Sequence, residues 1–219
     1  MPKKVAVILS GCGKQDGAEI HESVLTLLAL DRAGATYEVL APDKPQRQVV
    51  NHATGQEVKQ TRNVLVEAAR IARGAVKDIA RAKGSDYDAV ILPGGYGAAL
   101  NLSDFALRGA ECTVDEHVAR FLREAHQAGR PIGAICIAPA VVARVFGPDL
   151  HPTLTIGSDT ATAAALEKMG ARHEVRRVDQ IAVDEKNKIV TTPAYMLAQR
   201  ISEVATGIER LVEAVLRLA

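Results

Sequence analysis

Apolar runs at 5–9, 89–92 and 131–135, with a further strand at 36–40, alternate with longer stretches of helical period. Strands that are apolar along their whole length are buried on both faces, which happens when helices cover a parallel sheet from two sides. The expected class is therefore α/β, a three-layer sandwich about a mostly parallel sheet. Ile20, Val24, Leu27 and Leu28 space a stripe at i, i+4, i+7 and i+8, which predicts a first helix ending at Gly34. Thr113-x-x-Glu116 has the form of a capping box ahead of an amphipathic helix through Val118, Phe121, Leu122 and Ala125, with Gly129 and Pro131 as stops. Residues 154–156 read as a further short strand, 159–170 as a helix, and 181–190 as two short strands around a polar turn. A continuous stripe through Val204, Ile208, Leu211 and Val215 predicts a last helix on the sheet or on a second subunit.

At roughly 150 residues per domain, and with no Pro/Gly/Ser-rich or charged linker, the 219 residues read as a single domain, 1–219. Almost fifty residues separate the strands at 36–40 and 89–92, more than one crossover helix needs. An insertion is expected at about 42–73. It holds a polar loop with Asn51 and His52, then an amphipathic helix through Val64, Leu65, Ala68 and Ile71. It either covers a pocket at the carboxyl rim of the sheet or makes a dimer contact. The net charge of +1 offers no footprint for nucleic acid or an anionic membrane, so neither is expected as a partner. The longest uncharged stretch, 89–103, is fifteen residues and is broken by Pro93, Gly94, Gly95 and Gly97, which leaves no membrane span. The first residues enter a strand without a secretory signal, which predicts a cytoplasmic protein. Three widely spaced cysteines fit free thiols in a reducing compartment.

Chemistry has its best seat in Gly133-Ala-Ile-Cys136-Ile-Ala-Pro139, where a buried strand turns into a helix opened by Pro139. Amides of that helix would face the Cys136 thiol and are expected to lower its pKa, making it a nucleophile; the bland alternative is a buried small hydrophobe. Leu92-Pro93-Gly94-Gly95 ends another parallel strand and could present amides to an oxyanion, or simply turn tightly. The loop Ser10-Gly-Cys-Gly-Lys-Gln-Asp-Gly17 lacks the spacing of a dinucleotide or phosphate loop. Its Cys12 is a rival nucleophile or a resolving thiol for Cys136. Glu19 and Glu22 open the first helix, and a carboxylate buried near a thiol would be pushed toward its protonated form. The six histidines show no H-E-x-x-H and do not cluster with cysteine, so no metal is expected; His117 and His126 read as solvated and Cys112 as structural.

Taken together, Val7-Ile-Leu-Ser-Gly-Cys-Gly13, Asp16-Gly-Ala-Glu-Ile-His-Glu22, Ala41-Pro-Asp43, Asn51-His52, Thr61-Arg-Asn-Val64, Leu92-Pro-Gly-Gly95, Ala134-Ile-Cys-Ile-Ala-Pro139 and Thr191-Thr-Pro-Ala-Tyr-Met-Leu-Ala198 resemble the ThiJ/PfpI superfamily. The superfamily is related to class I glutamine amidotransferase domains. Within it the segments look like the bacterial ElbB-type glyoxalases, also called isoprenoid or lycopene-biosynthesis enhancing proteins. The resemblance runs the length of the chain and implies a flavodoxin-like sandwich, a homodimer, and conversion of a small 2-oxoaldehyde to a 2-hydroxy acid, glyoxal to glycolate, without a cofactor. It implies Cys136 as nucleophile, Glu22 as its acidic partner, and the amides of Gly95 and Ile137 as oxyanion donors. Ile137 stands where related peptidases carry a histidine, and no His-x-Glu pair follows Cys136, so peptidase and amidotransferase activities are disfavoured. Some members of the superfamily keep a histidine near the position where this chain has Gly157-Ser-Asp159, and with it missing, Asp159 or His52 is left as a substitute. A different class stays open: a redox-responsive or chaperone-like protein whose Cys136 oxidises to a sulfinic acid beside Glu22.

Overall fold

A chain that steps outward from its first strand in one direction and then returns to fill the other side leaves a crevice beside that strand, and this one does so. The computed structural model describes residues 2–219. In chain order its elements are β1 Lys4–Ile8, α1 Ile20–Arg32, β2 Thr36–Ala41, β3 Val50–Asn51, β4 Gln56–Glu57, α2 Val64–Ile71, β5 Val76–Asp78, β6 Ala89–Leu92, α3 Tyr96–Leu100, α4 Phe105–Arg108 and α5 Glu116–Gln127. β7 Ile132–Ile135, α6 Pro139–Leu150, β8 Thr153–Leu154, α7 Thr160–Lys168, β9 Arg172–His173, β10 Ala182–Asp184, β11 Ile189–Thr192 and α8 Ile201–Leu218 follow. Seven strands form the central sheet in the order β10-β11-β7-β6-β1-β2-β5. Every pairing is parallel except the β10–β11 hairpin.

The sheet separates two apolar clusters. Ile8, Val90, Leu92, Ile132 and Ala134 pack against α5 and α6 through Phe121, Leu122 and Phe146. On the other face Val5, Val7, Val39 and Ile91 pack with α8 through Ile208, Leu211 and Val215. This is the flavodoxin-like three-layer arrangement, with the topological switch between β1 and β6, where ligands of open α/β sheets bind.

Several details depart from the sequence expectations. β5 was not expected; it is a three-residue edge strand with Lys77 exposed, and short charged edges carry little apolar signal. Since α2 leads into β5, it is a crossover helix of the sheet, and the polar loop with the β3–β4 hairpin is what stands outside that plan. The short strand expected at 154–156 lies outside the main sheet, as β8 paired with β9. The cap of α5 is Asp115, which accepts from the amides of His117 and Val118, so Thr113 is two residues early. His126 is half-buried against the Phe146 ring, 5.1 Å between centroids, rather than solvated. Cys112, by contrast, agrees with its structural reading: it is buried, with its thiol 3.8 Å from the Met169 sulfur.

The largest departure is α1. Ile20, Val24 and Leu28 are exposed, whereas Glu22, Ser23 and Thr26 are buried. Periodicity locates a stripe but does not say which way it faces, and here the polar side faces in. The buried hydroxyls are satisfied by their own helix: Ser23 donates to the Glu19 carbonyl at 2.6 Å and Thr26 to the Glu22 carbonyl at 2.7 Å.

Candidate active site

Three parallel strands end at one place. β7 runs into Cys136, which takes φ +61°, a left-handed conformation that a non-glycine residue rarely adopts. Its amide donates to the Thr192 carbonyl at the end of β11, 3.0 Å away. Pro139 then opens α6 at its first turn. The strained turn lifts the side chain to the carboxyl rim, as in a nucleophile elbow. β6 ends in Pro93-Gly94-Gly95, and the backbone N–H groups of Gly95 and Ile137 stand near enough to the Cys136 sulfur to favour its thiolate.

Glu22, fully buried, gathers these ends. Its Oε2 accepts from the Gly94 amide at 2.9 Å and its Oε1 from the Tyr195 amide at 3.3 Å, and the Cys136 side chain lies across Gly94 from it. Gly94 is the residue sequence reading undervalued. A Cβ there would stand 2.5 Å from the Cys136 Cβ and 2.8 Å from the Glu22 Oε2. No side chain fits between acid and thiol. Burial, and then the charge of Glu19, raise the Glu22 pKa to about 8. Burial and the Glu22 charge likewise push the Cys136 thiol well up, outweighing the two amides that favour a thiolate. The expectation that helix amides would lower the Cys136 pKa is thus corrected: two acids share one dry place, and the pair keeps a proton.

Cys136 opens onto a cavity of about 820 Å³, lined also by Gly95, Ile137, His21, Tyr195 and Asp159. Tyr96, Phe105 and Met196 supply apolar wall, and Lys14 and Glu19 also line the cavity. Asp159 caps α7 by accepting from the Thr162 amide at 2.7 Å, and the Thr162 hydroxyl and amide hold its carboxyl below its usual range. His52 and Cys12 are not brought there. The His52 Nδ1 meets the Val50 carbonyl at 3.0 Å and its Nε2 accepts from the Gln15 amide at 3.2 Å, so the ring pins the hairpin to the β1–α1 loop. Cys12 is half-buried with Glu67, Arg70 and Arg62 as its charged neighbours, and burial raises its thiol pKa. Both belong to the seam between the loop and the extra segment, where a glycine-rich turn admits the hairpin. Among the described residues no cluster of three His, Cys, Asp or Glu side chains is placed to hold a metal.

Sequence reading also missed His21, whose Nδ1 lies 2.7 Å from the Tyr195 hydroxyl at the cavity. Its partner is far along the chain, in the turn after β11, and no local pattern joins the two.

The DJ-1/PfpI family matches residues 3–198. A human relative, glutamine amidotransferase-like class 1 domain-containing protein 3, mitochondrial, is 45% identical, with the match covering 98% of this chain and 83% of the relative. An isoprenoid biosynthesis protein with an amidotransferase-like domain from Ehrlichia chaffeensis superposes with a TM-score of 0.91 at 36% identity, over 99% of this chain and 100% of that one. Glyoxalase III from Candida albicans, at 13% identity, shares the fold, with a TM-score of 0.62 over 97% of each chain. The human relative is named mitochondrial, as are those from rat and zebrafish. These names overturn the cytoplasmic expectation. It rested on a missing secretory signal, which bears on export alone and does not separate the cytosol from an organelle.

Proposed function

The chain belongs to the DJ-1/PfpI family, and from that premise we propose that it converts glyoxal, among small 2-oxoaldehydes, to the 2-hydroxy acid through a covalent adduct on Cys136. The observation that supports this most is the left-handed Cys136 lining the cavity, its thiol influenced by the Gly95 and Ile137 amides and by the buried carboxyl of Glu22. The sulfur attacks one aldehyde carbon, and the thiol proton passes by way of Glu22 to the aldehyde oxygen, giving a hemithioacetal. The Glu22 carboxylate then takes the proton from that carbon and returns one to the neighbouring carbon through an enediol. The product is a glycolyl thioester, and water cleaves it to glycolate and free thiol. A carboxyl with a pKa of about 8 suits this traffic, since it exchanges its proton near neutral pH. The amides of Gly95 and Ile137 would serve the oxyanion when the thioester is attacked.

Glycolate formation from glyoxal by the wild type, Cys136→Ser and Glu22→Gln, with no cofactor added, tests the reading. Wild type should turn over, Cys136→Ser should be silent, and Glu22→Gln should lose about 100-fold or more. One trace rate common to all three would sink it. The oxidation-responsive reading would then stand, and intact mass after mild peroxide would check it through two oxygens gained at Cys136 alone.

A homodimer is part of the proposal. The exposed row Ile20, Val24 and Leu28 on α1, with Ile201 also exposed at the start of α8, gives it an apolar surface. Sedimentation of wild type and Val24→Asp tests this: an unchanged dimer in the variant would remove α1 from the interface.

A further inference from the structure

We propose that His21 is a catalytic residue of this site, the base that activates the water releasing the acid from Cys136, with Tyr195 holding its ring in place. The inference rests on the glyoxalase reading and supplies the step for which the elbow offers no imidazole. Ile137 follows the nucleophile, and Glu22 is committed to the amides of Gly94 and Tyr195.

The cavity that holds Cys136 is lined by one histidine, His21. The others are engaged elsewhere. His52 is bonded to Gln15 and Val50, His151 to the Gly170 carbonyl, and His173 accepts from the Ile156 amide. His126 packs on Phe146 and His117 lies beside Glu116. The carboxylates on the same cavity are engaged too: Glu19 caps α1 by accepting from the Glu22 amide at 2.8 Å, and Asp159 caps α7.

His21 precedes Glu22 on the first turn of α1, and its Nδ1 meets the Tyr195 hydroxyl at 2.7 Å, the two rings tilted at 45° with centroids 5.8 Å apart. The backbone of the same Tyr195 donates to Glu22. One tyrosine therefore fixes the imidazole through its hydroxyl and the proton-relay acid through its amide. With the ring proton on Nδ1, donated to the Tyr195 oxygen, Nε2 carries the lone pair. Among the described residues Nε2 has no protein partner. In the step itself a water oxygen bonds to the thioester carbon as Nε2 takes a water proton. The C–S bond then breaks, the acid leaves, and the imidazolium proton returns to the sulfur, restoring thiol and neutral His21.

Rapid mixing of glyoxal with wild type, His21→Gln and Tyr195→Phe tests this, read by glycolate yield and by intact mass after free glyoxal is removed. A thioester survives that removal and yields a hydroxamate with hydroxylamine, whereas a hemithioacetal reverses. His21→Gln should still acquire one glyoxal mass on Cys136, keep it as a hydroxylamine-sensitive adduct, and release glycolate about 100-fold more slowly. Added imidazole should restore release. Tyr195→Phe should slow release about 10-fold, with a smaller retained adduct. The assignment is overturned if His21→Gln releases glycolate at the wild-type rate, if imidazole gives no recovery, or if the variant melts like wild type yet forms no adduct. Should wild type itself form neither adduct nor glycolate, the glyoxalase reading fails and the inference falls with it.

Discussion

Along α8 the apolar residues Val204, Ile208, Leu211 and Val215 are buried on the sheet, as their spacing demands, and the charged residues point to water. Along its neighbour α1, joined to it by the Arg32–Glu209 ion pair, Ile20, Val24 and Leu28 face outward while Glu22, Ser23 and Thr26 turn in. The two helices share a face of one sheet and differ in what they must deliver. α8 delivers apolar area. α1 delivers a carboxyl to the ends of β6, β7 and β11, and it meets the penalty of burying polar groups by bonding two hydroxyls to its own carbonyls and the carboxylate to two backbone amides. Orientation in α1 is thus set by polar satisfaction at the site, against its hydrophobic pattern.

The contrast can be broken at the site first. Gly94→Ala should lower glycolate formation on the order of 100-fold or more, because the added methyl must push Cys136 and Glu22 apart, and overpacking should destabilise by about 1–3 kcal/mol. Near-wild-type kinetics would mean that the thiol–acid fit is not needed. On the α8 side, Leu211→Ala should lower the unfolding free energy by about 2–5 kcal/mol with kcat unchanged in the folded fraction, as chemical denaturation beside single-turnover kinetics would show.

Stability should also depend on pH through Glu22. Folded Glu22 holds its proton to about pH 8, whereas the unfolded chain releases it near 4.5. Its contribution to stability is therefore complete below pH 4.5 and declines as pH rises toward 8, by on the order of a few kcal/mol. Denaturation curves across that window should show the decline in wild type and a flatter profile in Glu22→Gln. Equal slopes would assign the decline to other groups. Thr26→Val should change stability by only about 1 kcal/mol, since it removes a bond to the helix's own backbone. Val24→Ser, on the outward ridge, should stay within about 0.5 kcal/mol for the isolated subunit, measured at concentrations too low for association.

How much of this was legible depended on whether the information was local. β6 and β7 are free of polar side chains from end to end and β1 is apolar after Lys4, so their burial and the sandwich followed directly; β5, three residues at an edge with an exposed lysine, had nothing to announce it. The elbow was legible because strand, Cys136 and Pro139 are contiguous. Glu22 was reached mainly through resemblance, since the stripe of α1 pointed the wrong way. Cys12 was drawn toward the site by a glycine-rich turn whose actual guest is the hairpin, and His52 by the place of its loop after a strand of the sheet. His21 was missed because its partner, Tyr195, is supplied by topology. The Cys136 pKa went astray for a related reason: the amides at the turn could be foreseen, but the desolvation and the buried carboxylate that outweigh them come from packing.

Gly94 supplies a rule for reading other chains. The place between thiol and acid admits hydrogen and nothing larger, so an elbow cysteine and a helix-borne glutamate are not sufficient marks of this chemistry by themselves. A relative that keeps both but carries even alanine at the corresponding position has had its two groups wedged apart, and its cysteine should be assigned some other task. One that keeps all three can be expected to work as a unit, however far its rim and hairpin have diverged.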